Sequence, residues 1–409
     1  VISRAGRLWL WKRPFPGLFV TAFVLGLTGA FMAPFGALWA TEQVGMSAEE
    51  LGAFMTLNAL SAIVLSTFIG RWSDTHLARR TLLLVGSAAG AVGAVGYALV
   101  RGFLPLLLIG STAFALAALN FAQLFAHARE ELTRVGRDAK PADAAPAASA
   151  SAADAPFALG LLRACYALAW LVGPNLGAAI KRHWGYPGLF FSAAGFFVLL
   201  AACAAGFVVE RPRQPEPTLT ASPWKAALAE PRVLAYCAAF GLMFAATTLN
   251  SLNLPLYLTR ELGGDERSVG LAFAVSPLFE MAFMIGFGHV ASRGHARHVM
   301  LFGSAAAVAY FVLLGFVTAA WQVYPLQILL AAGVAVTASV AIPLCQDLLP
   351  RQPGLVTSLY SNALKLGSLI GFSGFGLLAS RVGHEGLCLV CASLAAATLA
   401  IVAVASPRR

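Results

Sequence analysis

Stretches of about twenty apolar residues recur along this chain from end to end, and they decide its solvent. At ~1.5 Å of rise per residue, each is long enough as a helix to cross a hydrocarbon core ~30 Å thick. Twelve such segments are read, at roughly 17–40, 48–70, 81–100, 104–128, 157–180, 187–209, 232–258, 268–290, 299–319, 322–345, 354–380 and 386–405. A peptide group left unpaired in hydrocarbon costs several kcal/mol, so each segment closes its backbone bonds internally as a helix. Their length and lack of strict alternation exclude a β-barrel. The expectation is an all-α membrane protein with twelve transmembrane helices in two pseudo-symmetric six-helix bundles. Only 11% of the 409 residues are charged, too few to keep such a chain soluble.

Lysine and arginine set the orientation. An even number of spans puts both termini on one side, and placing that side in the cytoplasm leaves 20 of the 28 basic residues there and six outside. The other two, Arg163 and Lys365, fall inside predicted helices. The net charge of +10 is spread over loops rather than gathered into one patch, so nucleic acid is not an expected partner. All six cysteines lie in apolar segments, where they serve as small hydrophobes. No disulfide, metal site or cofactor is implied. No signal-peptide cleavage site is read, so Arg4, Arg7, Lys12 and Arg13 are expected to flank a retained first helix.

Two polar segments interrupt the helices. Residues 210–231, rich in proline and charge, divide the spans six and six and are expected to link an N-terminal bundle (1–209) to a C-terminal one (232–409). Residues 138–156 carry Ala, Pro, Ser and Asp and are expected to form a mobile cytoplasmic insertion. Two related bundles suit a transporter that holds its solute between them near the midplane.

The loop after the second span carries Gly70, Asp74, Arg79 and Arg80 and resembles the major facilitator signature G-x-x-x-D-R-x-G-R-R. Asp74 can accept from a helix N-terminus or an arginine, forming a latch that breaks as the bundles rock. On the fifth span Gly160, Ala169, Gly173, Pro174, Gly177 and Ala178 are similar to the exporter motif G-x8-G-x3-G-P-x2-G-G. Small residues allow close helix approach and Pro174 bends the helix.

Charges in mid-membrane are the sharpest feature. Each costs roughly 2.5–3.5 kcal/mol or more at the bilayer centre, and such groups face a cavity or a partner. Glu280 lies in the middle of the eighth span and is the candidate proton carrier; Arg163 and Lys365 lie on the fifth and eleventh. Polar side chains follow at helical spacing: Asn120 and Gln123 with His127, Tyr166 and Trp170 beside Arg163, Asn250, Asn253 and Tyr257, and Asn362 beside Lys365. With Asn58, these are the candidate solute ligands. Amides and aromatic faces suit polyhydroxylated solutes; the competing reading is interhelical bonding.

The blocks FAHAREELTRVGRDA (125–139), LLRACYALAWLVGPNLG (161–177), Phe279-Glu280 and QDLLPRQPGLVTSLYSNALKLG (346–367) resemble the bacterial sugar efflux transporter (Set) family. Lys365 stands where that family would have Arg. The resemblance implies a proton-driven exporter of sugars or sugar-like solutes, working as a single chain in the bacterial inner membrane. A multidrug antiporter is the alternative. An intramembrane serine protease using Ser373, in Gly371-Phe-Ser-Gly374, is a remote one, because it needs a histidine at similar depth. Deleting residues 141–153 is expected to leave folding and transport nearly unchanged, checked by the melting temperature of the purified protein; a collapse of expression would contradict it.

Overall fold

A computed structural model describes residues 15–76, 78–138, 144–209, 230–349 and 353–405. Among them every regular element is helical. Nine helical stretches are long and apolar enough to cross a membrane, and three of them, at 159–207, 266–314 and 355–405, run to 49, 49 and 51 residues. At ~1.5 Å per residue that is ~75 Å, more than twice a hydrocarbon core. Each breaks once, at Gly185 (φ 63°), Gly294 (φ 91°) or Gly383 (φ 68°). Only glycine takes up this left-handed backbone without a Cβ penalty. Each long stretch is therefore two crossings, and the described residues make twelve.

We number them α1 Phe15–Glu42, α2 Ala48–Ile69, α3 Arg79–Leu99, α4 Phe103–Glu131, α5 159–184, α6 186–207, α7 Pro231–Arg260, α8 Glu266–Val290, α9 Ala296–Leu314, α10 Ala320–Leu348, α11 355–382 and α12 384–405. These bounds lie within a few residues of the hydropathy reading. The segment 144–156 differs from it: expected as a mobile insertion, its backbone is helical from Ala144 and runs on into α5. Alanine has the highest helix propensity of any residue, so an alanine-rich stretch extends a helix it adjoins. Residues 139–143 and most of the linker, 210–229, lie outside the described residues.

Several helices are interrupted where the sequence dictates. A 3-10 turn, Ala33–Phe35, breaks α1 around Pro34. Pro255 and Pro277 lie inside α7 and α8 and remove one ladder donor each. At the start of α8, Asp265 accepts from Ser268 N–H (2.9 Å) and the Ser268 hydroxyl faces back to Asp265 N–H (3.3 Å), a capping box. Those bonds hold the Asp265 carboxyl below its usual range. The cap's contribution is thus complete above the ordinary carboxylate pKa and fades only as pH falls through the lowered one.

The described chain gathers into two compact units. The first takes Val1–Ala33, Ser61–Gly173 and His183–Glu216; the second takes Pro34–Leu60, Pro174–Arg182 and Pro217–Arg409. Two of the cuts fall beside prolines, Pro34 in α1 and Pro174 in α5. The first unit is built on Leu18, Ala22, Leu83, Leu124, Leu200 and Ala204, and the second on Val233, Tyr236, Phe240, Val336, Val356 and Tyr360.

Within the second unit α7 and α11 approach so closely that a Cβ on Gly367 would run into Gly241 O, and one on Gly371 would meet Ala245 O at 2.5 Å. Gly286 on α8, by contrast, has nothing within 4 Å of that position. Gly367→Val is therefore expected to cost about 1–3 kcal/mol through overpacking, read as a lowered melting temperature in detergent. Gly286→Ala is expected to leave it in place, and equal losses would contradict the packing described.

Candidate functional site

In the first unit, the signature residues and the polar stripe of α4 meet. Gly70 and Asp74 are in the helix Ala48–His76, with side chains outside the described residues. Arg79 starts α3 and reaches α4: Nε and Nη2 donate to Glu130 Oε1 (2.8 and 2.5 Å) and Nη1 donates to Gln123 Oε1 (3.1 Å). Arg80 donates to Ala205 O on α6 (2.7 Å). Gln123 is thus buried as an acceptor for Arg79 rather than presented to solute. Asn120 is fully buried against α3 as well: in one amide orientation it donates to Ser87 Oγ (3.3 Å), in the other to Leu83 O (3.2 Å). Glu130 was not singled out in the sequence, although it continues the Asn120, Gln123, His127 face by one turn.

On α5, Ala169 and Gly173 of the small-residue motif pack closely against α1, whereas Gly160 has nothing within 4 Å of its Cβ position. A Cβ on Gly173 would sit 2.8 Å from Ala30 and 3.0 Å from the Phe31 nitrogen of α1, and Gly26 of α1 is closed by Ala169 and Tyr166 O. Arg163 is exposed and has no ion pair among the described residues. Tyr166 is half-buried edge-on to Phe121, ring centres 5.1 Å apart, and Trp170 is half-buried one turn further on.

In the second unit three candidate ligands are spent on their neighbours. Asn250 donates to Tyr310 Oη (3.2 Å), which also accepts from Gln327 (3.2 Å). Asn253, 1% exposed, holds His384, and Tyr257, wholly buried, donates to Val317 O (3.3 Å). Buried amides and hydroxyls seek partners, and here α9, the α9–α10 turn and the start of α12 supply them. These side chains tie helices together, as do Asn120 and Gln123. Asn362 and Lys365 are different: both are exposed on α11. Asn58 is half-buried on α2. Glu280 sits half-buried in mid-α8, one turn past Pro277, with no ion pair among the described residues.

A seam in the same unit was not legible in the sequence. The start of α2 lies against α11 with glycine on glycine: a Cβ on Gly376 would stand 3.0 Å from Gly52 Cα. Thr56 and Ser373 hydroxyls meet at 3.1 Å, and Ser380 donates to Glu49 (3.2 Å). Ser373, the residue the protease reading needed, is thus a seam contact. The end of α5 meets the start of α8 in the same way. A Cβ on Gly270 would lie 3.0 Å from Pro174 O and 3.1 Å from Ala178, and Gly177 is buried beside them. Lys181, whose side chain is only 10% exposed, closes this contact by bonding Glu266 of α8 (3.2 Å) and pairing with Glu42 of α1 (3.7 Å).

Comparison with known proteins fits this architecture. The profile of the Major Facilitator Superfamily matches residues 18–252 and 236–409. The chain belongs to the Major Facilitator Superfamily. It is a multi-pass membrane transporter, not an enzyme. It is 29% identical over 384 residues to a putative sugar efflux transporter of Deinococcus radiodurans, covering 93% of this chain and 95% of that one. It is likewise 29% identical over 386 residues to sugar efflux transporter A of Dickeya chrysanthemi, covering 93% of each. Among solved structures, a variant of the nucleoside transporter NupG superposes with a TM-score of 0.74 over 96% of this chain and 99% of its own, at 12% identity, which speaks to the fold alone.

Partly exposed ion pairs each contribute about 1 kcal/mol and weaken with salt. Lys181→Met is expected to lower the melting temperature at low ionic strength and to shrink its dependence on sodium chloride. An unchanged salt dependence would remove Lys181 from the seam's energetics.

Proposed function

We propose that the chain exports sugars or sugar-like small solutes from the bacterial cytoplasm in exchange for protons, with Glu280 as the proton carrier and both termini cytoplasmic. The observation that carries this is an acid in the middle of a membrane-crossing helix with no counter-ion among the described residues. Such a group is tolerated only where water reaches it at some stage. A carboxylate free of an ion pair can take up a proton on one side and release it on the other as its access to water changes.

The solute contacts we assign are the half-buried and exposed members of the candidate set: Arg163, Tyr166 and Trp170 in the first unit, and Asn58, Asn362 and Lys365 in the second. Amides, amines and hydroxyls match the hydroxyls of a sugar, while Trp170 and Tyr166 offer rings to its CH faces. The names of the relatives over nearly the full chain favour sugars over drugs as cargo. In this orientation the seam of Gly52, Gly376, Gly270 and Lys181 lies toward the outside, where its parting would release solute.

One proton moving down a potential of 100 mV yields about 2.3 kcal/mol, and 1.4 kcal/mol is a factor of ten in concentration. A single coupled carboxylate is therefore sufficient to drive useful efflux, with no cofactor beyond the proton gradient. In proteoliposomes loaded with labelled mono- and disaccharides, efflux is expected to accelerate with an imposed proton gradient. Glu280→Gln is expected to abolish that acceleration while leaving solute exchange at zero gradient. Gradient-driven efflux surviving in Glu280→Gln would remove the carboxylate from the coupling; transport of lipophilic cations but no sugar would replace the cargo.

A further inference from the structure

A half-open pocket of about 280 Å³ lies in the second unit, at the ends of α1, α2, α7 and α11 and the first turn of α12. Its polar walls are Thr41, Ser47, Arg260, Ser380 and His384, with Leu256 and Phe375 as apolar faces. None of these was singled out in the sequence, and none belongs to the mid-membrane set. We infer that this chamber is a second solute site, built for one uncharged sugar ring and placed on the route out. The inference rests on the reading of the protein as a sugar exporter.

The histidine is the reason to regard the chamber as built. Asn253 Nδ2 donates to His384 O (3.1 Å), and a carbonyl can only accept, so the amide orientation is fixed. Asn253 Oδ1 then faces His384 Nδ1 at 2.7 Å, and that ring nitrogen must carry the hydrogen. The imidazole is held flat against Tyr257, ring centres 6.1 Å apart and planes 22° from parallel. One buried amide thus sets both the tautomer and the orientation of the ring, and leaves Nε2 as an acceptor.

The other groups complete a donor and acceptor set. Thr41 spends its hydrogen on Ala37 O (3.0 Å) and Ser380 spends its own on Glu49 (3.2 Å), so both hydroxyls have lone pairs to offer. Arg260 has no ion pair among the described residues and brings five donors in a fork that matches adjacent hydroxyls. Pockets for drug-sized ligands span ~300–1,000 Å³; one just below that range suits a single ring better than two. Its walls include Ser380, which is part of the seam, and Phe375, beside Gly376, so parting α2 from α11 widens it.

Equilibrium binding of radiolabelled D-glucose, D-galactose and lactose to the full-length protein in nanodiscs tests the inference. Wild type is expected to take up two equivalents of a monosaccharide per chain but one of lactose. His384→Ala and Ser380→Trp are each expected to lose one monosaccharide equivalent, keep the lactose, and raise the KM for monosaccharide efflux about tenfold. If Ser380→Trp does not fold, His384→Ala decides. One monosaccharide equivalent in wild type, or an unchanged stoichiometry in the variants, overturns the chamber as a site while leaving the sugar exporter intact. No binding and no transport of any of the three sugars by wild type overturns both.

Discussion

Hydrocarbon offers no hydrogen bonds, and most of this structure follows from that. A backbone that cannot be hydrated must satisfy itself, so the chain crosses as helices and departs from helical geometry only at a few places. Three departures are glycines with positive φ that turn one crossing into the next. Others are prolines, which leave a carbonyl without its ladder donor at mid-depth. In α8 that break falls one turn before Glu280, so a charged group and a weakened backbone share one stretch.

The same solvent removes the hydrophobic drive between helices, leaving close packing and polar bonds to hold them. The chain uses two grades of contact. Between α7 and α11 the backbones meet through Gly241, Gly367 and Gly371, backed by buried bonds such as Cys391 to Ala246 O (3.3 Å). Between α2 and α11, and between α5 and α8, glycine contacts are instead joined by partly exposed hydroxyls and ion pairs. Water can replace partners of the second grade as they separate, which it cannot do for the first. A surface that must close and part repeatedly is better made of the second.

The fold was legible because a crossing helix needs twenty apolar residues in a row, and few soluble elements look like that. The candidate site was legible only in part, for an identifiable reason. An amide that binds solute and an amide that ties two helices follow the same spacing on the helix. Periodicity therefore marked Asn120, Gln123, Asn253 and Tyr257 together with Asn362 and Lys365, and only packing separated them. The alanine-rich segment before α5 misled in another way, since a composition too poor for a core is still a good helix former. Ion pairs such as Lys181 with Glu266 join residues 85 positions apart, and nothing local announces them.

Glu266 and Glu280 lie on one helix, and that couples two roles. Fourteen residues at ~1.5 Å put them ~21 Å apart, the first in the seam and the second at mid-depth. A displacement of α8 that separates Glu266 from Lys181 must move the segment carrying Glu280, unless the helix bends between them. Pro277 lies between them and is where such a bend would be taken up. The position of the central carboxylate and the integrity of the Lys181–Glu266 contact are therefore not independent: each constrains the same helix, and under the proposed function that is the condition for a proton and a solute to exchange in turn rather than leak past one another.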